Sequence, residues 1–348
     1  MSDWDFLWGL TGDDLDFAIS NGYTKEEYQY ILEKKHNGTK ILVIFTGGTI
    51  GSLVYDGWIS PENTTIKFLI ENCKQQIDDE IDFFTTEPYT ILSENLDAHH
   101  LNKLIEAVRI ASKADYDGII VTHGTDTLQY SATALSFALG NNCIPVLLVS
   151  SNYPLSDERA NGKINFEAAI EFIKQKCGKG VYIAYRNSDR HTYYHAGINL
   201  LTHLETDDNV YSLNNNFYAE YIDGKVIIHR PFVDFRPSKA DNTILIEEPK
   251  ILVINPCPAL CYDYDLSNYN AVLIKPYHSS TLNTSSNRFI AFCQKAQKQN
   301  IPVYVSSLNI TTAYESNKSF NKLGLKSISN TTFIDNYIKL WFEISKKY

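Results

Sequence analysis

Apolar residues in this chain arrive mostly in short unbroken runs. Ile41-Leu42-Val43-Ile44-Phe45, Ile119-Ile120-Val121, Val146-Leu147-Leu148-Val149 and Val181-Tyr182-Ile183-Ala184-Tyr185 show no alternation with polar residues. Such strands are buried on both faces, as in a parallel sheet covered by helices above and below. Amphipathic helical patterns separate the runs, over 64–77, 97–113, 127–140 and 165–176, and a further strand is read at 89–93. This alternation predicts a doubly wound, flavodoxin-like, mostly parallel sheet.

The pattern changes near residue 217. Asp223-Gly224 between apolar runs signals a hairpin, and the polar, proline-containing stretch after Arg230 suits a connection between domains. A smaller α/β unit follows, with strands at 250–256, 270–280 and 301–307, a helix at 286–300 and a terminal helix. The expected organisation is a helical preface over 1–38, with Thr24-Lys25-Glu26-Glu27 in the form of a capping box. A larger domain covers 39–216, a hairpin and connection 217–249, and a smaller domain 250–348.

Composition narrows the function. At 348 residues the chain can bury two cores, and its net charge of -10 lacks the basic footprint of a nucleic-acid binder. No stretch reaches membrane-spanning length without charges, and the acidic start is no export signal, so a cytoplasmic protein is expected. The six cysteines are scattered; Cys257 and Cys261 flank Pro-Ala-Leu, which is not a zinc-knuckle spacing. All six read as reduced, mostly buried thiols. The histidines form no ligand pattern, with His99-His100 at a solvated helix start, and no cofactor or metal is expected.

Chemistry concentrates where the strands end. Three tips carry hydroxyls and carboxylates: Thr46-Gly47-Gly48-Thr49, then Ser93-Glu94-Asn95, then Thr122-His123-Gly124-Thr125-Asp126-Thr127. In a doubly wound sheet these tips share one edge, where ligands bind. Taken alone, the first tip reads equally as an ordinary strand-to-helix turn. Together the three supply parts for acyl transfer: a hydroxyl nucleophile, a carboxylate and glycine-bordered amides for an oxyanion. A dinucleotide or phosphate loop is disfavoured, because Thr-Gly-Gly-Thr-Ile-Gly-Ser has neither the GxGxxG spacing nor a Lys-Ser/Thr pair.

Thr46-Gly-Gly-Thr49-Ile50-Gly51 followed by His123-Gly-Thr125-Asp126-Thr127, with Leu92-Ser93-Glu94-Asn95 between, resembles the bacterial-type L-asparaginase/glutaminase family of threonine amidohydrolases. The resemblance covers most of 40–320. It implies Thr49 as nucleophile and Thr125 and Asp126 as a second catalytic pair. Asp126, Ser93 and Glu94 would hold the ends of an amino acid, with backbone near Gly48 and Gly124 or Thr125 at the oxyanion. Thr46 would brace the loop, and Tyr55 would stand in for the family's loop tyrosine.

The family's lysine has no counterpart: none occurs between Lys179 and Lys225. Thr202 or His203 aligns near its place, and His203 is the candidate to replace it. Family members also share sites between subunits, which implies a homodimer or homotetramer with His278, Ser279 and Ser280 meeting a partner's substrate. The expected activity is hydrolysis of L-asparagine to aspartate and ammonia. The alternatives are another amide, such as that of glutamine, and a weakly catalytic ligand-binding or sensor protein.

Overall fold

The computed structural model describes residues 24–25, 38–55, 58–61, 70, 81–141, 143–204, 206–229, 231–307, 314–329 and 331–348. The helices read over 1–38 and 64–77, apart from Thr24, Lys25, Gly38 and Ile70, lie outside the described residues.

The larger sheet has eight strands in the order β10-β9-β8-β7-β6-β5-β1-β4. These are β1 (Thr39–Phe45), β4 (Ile81–Thr86), β5 (Gly118–Thr122), β6 (Pro145–Val149), β7 (Gly180–Arg186), β8 (Thr192–Ala196), β9 (Ala219–Ile222) and β10 (Lys225–Ile228). β4, β1, β5, β6 and β7 are parallel, and β8 to β10 add antiparallel neighbours. A separate hairpin pairs β2 (Ser52–Tyr55) with β3 (Trp58–Pro61).

The unbroken apolar runs explain the two layers of helix. Leu42, Ile44, Ile119, Val121, Val146 and Leu148 face a core built with α1 (Ala98–Ala111) and α2 (Leu128–Leu139). Ile41, Val43, Phe45, Ile120, Leu147 and Val149 face the opposite core under α3 (Gly162–Lys174). Successive strand residues point to opposite faces, so a strand buried on both sides must be apolar throughout.

The smaller sheet is parallel, in the order β11 (Ile251–Ile254), β12 (Ala271–Ile274), β13 (Val303–Ser307), β14 (Leu325–Ser329). Its core includes Phe289, Phe292, Cys293 and Ala296 of α4 (Asn287–Lys298). A short helix α5 (Glu315–Lys318) precedes β14. The helix α6 (Phe333–Ser345) leaves this unit and packs Ile334, Ile338, Trp341 and Phe342 into the larger domain's first core. The expected two-domain α/β architecture is therefore the observed one.

Several elements depart from the sequence reading. Residues 89–93 form no strand; Ile91 makes only an isolated bridge with Gly47. The strand beside β1 is instead β4, whose Ile-Asp-Phe-Phe-Thr-Thr is half exposed and mixed in polarity because it lies at the sheet edge. The hairpin β9–β10, read with the connection, continues the large sheet through β8. The segment after Gly51, read as a loop, contains the β2–β3 hairpin. Among the five described cysteines only Cys293 is buried; Cys257 and Cys261 are exposed in the turn after β11, a correction to the expectation of mostly buried thiols.

Candidate active site

Parallel pairing of β1 with both β4 and β5 brings the expected tips to one edge. Thr46 donates its hydroxyl to the Thr122 carbonyl at 2.7 Å, tying the end of β1 to the end of β5. Ile91 N–H donates to Thr46 O, and Gly48 N–H donates to Ile91 O, both at 3.2 Å. Gly47 and Gly48 have φ of +97° and +82°, a region open to glycine. A Cβ on Gly48 would lie 2.3 Å from Gly124 N, and one on Gly124 would lie 2.4 Å from Ser93 Oγ. The three tips are therefore in direct contact, and no larger residue fits at either glycine.

A short 3₁₀ turn, Thr49–Gly51, follows immediately. Gly51 N–H at 3.0 Å and Ser52 Oγ at 2.7 Å both donate to the Gly48 carbonyl, which fixes that turn. Thr49 is left half-buried, and neither its hydroxyl nor its N–H bonds to any described residue. Thr125 has the same property: half-buried, with its hydroxyl and N–H bonded to no described residue. The Gly48 N–H, in contrast, is committed to Ile91, whereas the N–H groups of Thr49, Gly124 and Thr125 bond to no described residue.

The carboxylates sit at the rim. Asp126 is exposed and accepts from Ser93 Oγ at 3.4 Å, while exposed Glu94 bonds to no described residue. Ser93 is buried, and its carbonyl accepts from Thr127 Oγ1 at 2.8 Å and Leu96 N–H at 3.1 Å. The site thus has two free hydroxyls, two rim carboxylates and a buried serine around one glycine contact. Such a set can hold an ammonium group and present a hydroxyl to a carbonyl carbon.

His123, a motif residue with no role legible in the sequence, braces this edge from below. Its ring is 2 % exposed and lies 2.8 Å from both the Gly124 carbonyl and the Ser131 hydroxyl. A carbonyl only accepts, so Nδ1 carries the proton and Nε2 accepts from Ser131. Burial pushes its pKa down and keeps the ring neutral.

His203 reaches the site in an unexpected way. Nε2 lies 3.1 Å from the backbone carbonyl of Thr125, and Nδ1 lies 3.1 Å from the carbonyl of Asn209. Both nitrogens face carbonyl oxygens, of which a neutral ring donates to one, and neither bonds to the Thr125 hydroxyl, so the ring straps one loop against another. The expectation that it replaces the family's lysine as proton acceptor is corrected accordingly. Neighbouring Thr202 accepts from Lys275 Nζ of the smaller domain at 3.4 Å.

Other expected residues lie apart. Tyr55 ends β2 opposite Trp58, and its side chain lies outside the described residues. Exposed His278 and half-buried Ser279 bond to each other at 3.1 Å beyond β12, and neither bonds to the Thr49 cluster within the chain. Ser280 is buried with φ +57°. Among the described residues no three His, Cys, Asp or Glu side chains gather as a metal site, and no helix is long and apolar enough to cross a membrane.

Comparison with known proteins gives this geometry its relatives. A family model described as "Asparaginase, N-terminal" matches residues 40–231. A glutamyl-tRNA(Gln) amidotransferase subunit of Methanosarcina acetivorans is 30% identical over 283 residues, covering 77% of this chain and 64% of that protein. The protein of the same name from Methanobrevibacter smithii is 26% identical over 345 residues, with 92% and 74% covered. Its counterpart in Saccharolobus solfataricus is 33% identical over 224 residues, covering 60% of this chain but only 48% of that protein. Among solved structures, the thermostable L-asparaginase from Thermococcus kodakarensis superposes with a TM-score of 0.74 at 21% identity, covering 88% of this chain and 93% of that one. L-asparaginase I from Vibrio cholerae gives 0.72 at 20% identity, with 89% and 94% covered. These structures share the fold.

Proposed function

We propose, from the premise that this chain belongs to the asparaginase family, that it hydrolyses the side-chain amide of a free amino acid, with L-asparagine as substrate. Asp126 and Glu94 hold the α-ammonium group, and Ser93 the α-carboxylate. Thr49 Oγ attacks the amide carbon, and the oxyanion settles between the N–H groups of Thr49 and Thr125. As the C–N bond breaks, the threonine proton goes to the departing nitrogen, which leaves as ammonia. Water then attacks the acyl-threonine ester, releasing aspartate and restoring the hydroxyl.

The observation that supports this most is the nested contact of Gly48, Gly124 and Ser93, which brings the three tips around the open hydroxyl of Thr49. Losing a positioned proton acceptor costs about 10²- to 10⁴-fold in rate. With no lysine between 179 and 225 and His203 bonded to carbonyls, turnover is expected to be slow. Purified protein should release ammonia from asparagine above background, and Thr49→Val should not. Equal background rates for both would overturn the proposal.

A second reading takes glutamine as the amide, because the archaeal relatives are named as glutamyl-tRNA(Gln) amidotransferase subunits. A glutamine rate well above the asparagine rate would favour it. The working form on either reading is a cytoplasmic homodimer or homotetramer in which His278 and Ser279 approach the partner's substrate.

A further inference from the structure

Between the two domains lies a cleft with a volume of about 540 Å³ whose lining includes none of the residues assigned to amide hydrolysis and adjoins them at Thr127 and Thr202. Its floor is aromatic. Phe333, Tyr337 and Trp341 lie along one face of α6, with successive ring centroids 6.5 Å and 5.9 Å apart, and Leu101 of α1 also lines the cleft. Trp341 turns its Nε1–H away to the Ile246 carbonyl at 2.8 Å, so the indole presents carbon to the cleft. Thr127, Thr202, Asn255 and Lys275 are its polar lining, and Lys275 is the charged member.

Lys275 is the unusual member. It extends from the end of β12, and its ammonium lies 3.4 Å from Thr202 Oγ1 and 5.7 Å from the centre of the Phe333 ring. It pairs with no carboxylate among the described residues. An ammonium held over an aromatic ring beside a hydroxyl, at the rim of an apolar cleft, is an arrangement that selects an anion with an apolar body. The volume is that of a small-molecule site.

We propose that this interdomain cleft binds a small aromatic carboxylate. The ring lies against Phe333, Tyr337 and Trp341, the carboxylate pairs with Lys275, and Thr202 donates a second bond to the same group. A free amino acid such as asparagine would leave the aromatic wall uncovered and set its own ammonium against Lys275. The site also borders the hydrolytic edge, since Thr127 donates to the Ser93 carbonyl at 2.8 Å.

Calorimetric titration of the full chain with indole-3-propionate, with the neutral amide of that acid and with asparagine tests this. The acid should bind saturably, one per chain. The amide, and the acid with Lys275→Met, should each bind at least roughly tenfold more weakly, the scale of a lost hydrogen bond to a charged group. Lys275→Arg should retain binding within a few-fold. No saturation by about 10 mM acid, where binding falls below useful affinity, would overturn the proposal. So would amide binding equal to that of the acid, a comparison that needs no variant. Displacement of the acid by asparagine would put it in the Thr49 site and overturn the proposal equally.

Discussion

Gly48 and Gly124 touch through their backbones: a methyl group added to Gly48 would sit 2.3 Å from the Gly124 nitrogen and 2.5 Å from its Cα. Everything in the candidate site is arranged around that contact, because Thr49 follows one glycine and Thr125 the other.

Replacing Gly48 by alanine combines a left-handed backbone with an unavoidable backbone clash. Gly48→Ala should therefore lose roughly 2–5 kcal/mol of stability, together with amide hydrolysis. Gly224 in the β9–β10 turn is the control: its φ is also positive, +79°, but nothing lies within 4 Å of where a methyl group would sit. Gly224→Ala should cost only about 1 kcal/mol. Thermal melting of the two variants side by side checks this, and equal losses would contradict the packing account.

Thr125 and Asp126 should fail in different ways. Thr125→Val removes a group placed to act in the chemical step, so kcat should fall about 10²- to 10⁴-fold. Asp126→Asn removes the charge proposed to face the substrate ammonium, so KM should rise roughly ten- to hundredfold while kcat changes less. Steady-state kinetics with asparagine separates the two.

His203 distinguishes a strap from a proton acceptor. His203→Ala frees the Thr125 carbonyl and should lower kcat roughly ten- to hundredfold by displacing the loop. Added imidazole should restore nothing, because the ring lies between two backbone carbonyls at 3.1 Å and bonds to no hydroxyl of the site. Recovery of rate with imidazole would instead assign the ring to proton transfer.

Acid stability depends on His195 and Asp335 with opposite signs. His195 is buried on β8, its Nδ1 pairs with the Ser212 hydroxyl at 2.8 Å, and its Nε2 has no partner among the described residues. Burial lowers its pKa to about 3 from an ordinary 6.5. Between those values the unfolded chain binds a proton that the folded chain refuses, so stability falls as pH drops. Asp335, pushed up to about 6 by burial from 3.8, gains its proton in the folded state first and stabilises as pH drops from 6 to 4. The unfolding free energy of His195→Gln should therefore rise relative to the parent's as pH drops from 6.5 to 4, by about 1.4 kcal/mol per pH unit for one proton. Parallel calorimetric profiles would contradict this.

Much of the fold was legible because its central strands are apolar on both faces, which the residue order alone records at 41–45, 119–121, 146–149 and 181–185. β4 was not, because an edge strand needs only one covered face and the mixed polarity of its Asp82 and threonines gives no unbroken apolar run. Of the site, the hydroxyls and carboxylates were legible as clusters after apolar runs. Their mutual contacts were not: the approach of Ser93 to Gly124 and of His203 to Thr125 depends on backbone packing between segments far apart in sequence. The commitment of the Gly48 N–H to Ile91 was equally invisible, since it requires the bridge that replaced the expected strand.

The packing of α6 onto α2 has a consequence for biosynthesis. Tyr130 meets Tyr337, Phe137 meets Phe342, and Thr133 donates to Asp335 across 202 positions of sequence. A nascent polypeptide emerging from the ribosome through β7 holds the central strands of the larger sheet but leaves α2's outer face bare until α6 has been translated. Ribosome-bound fragments ending before Thr332 should consequently require chaperone cover, and release of the downstream segment should set the moment at which the larger domain becomes protease-resistant.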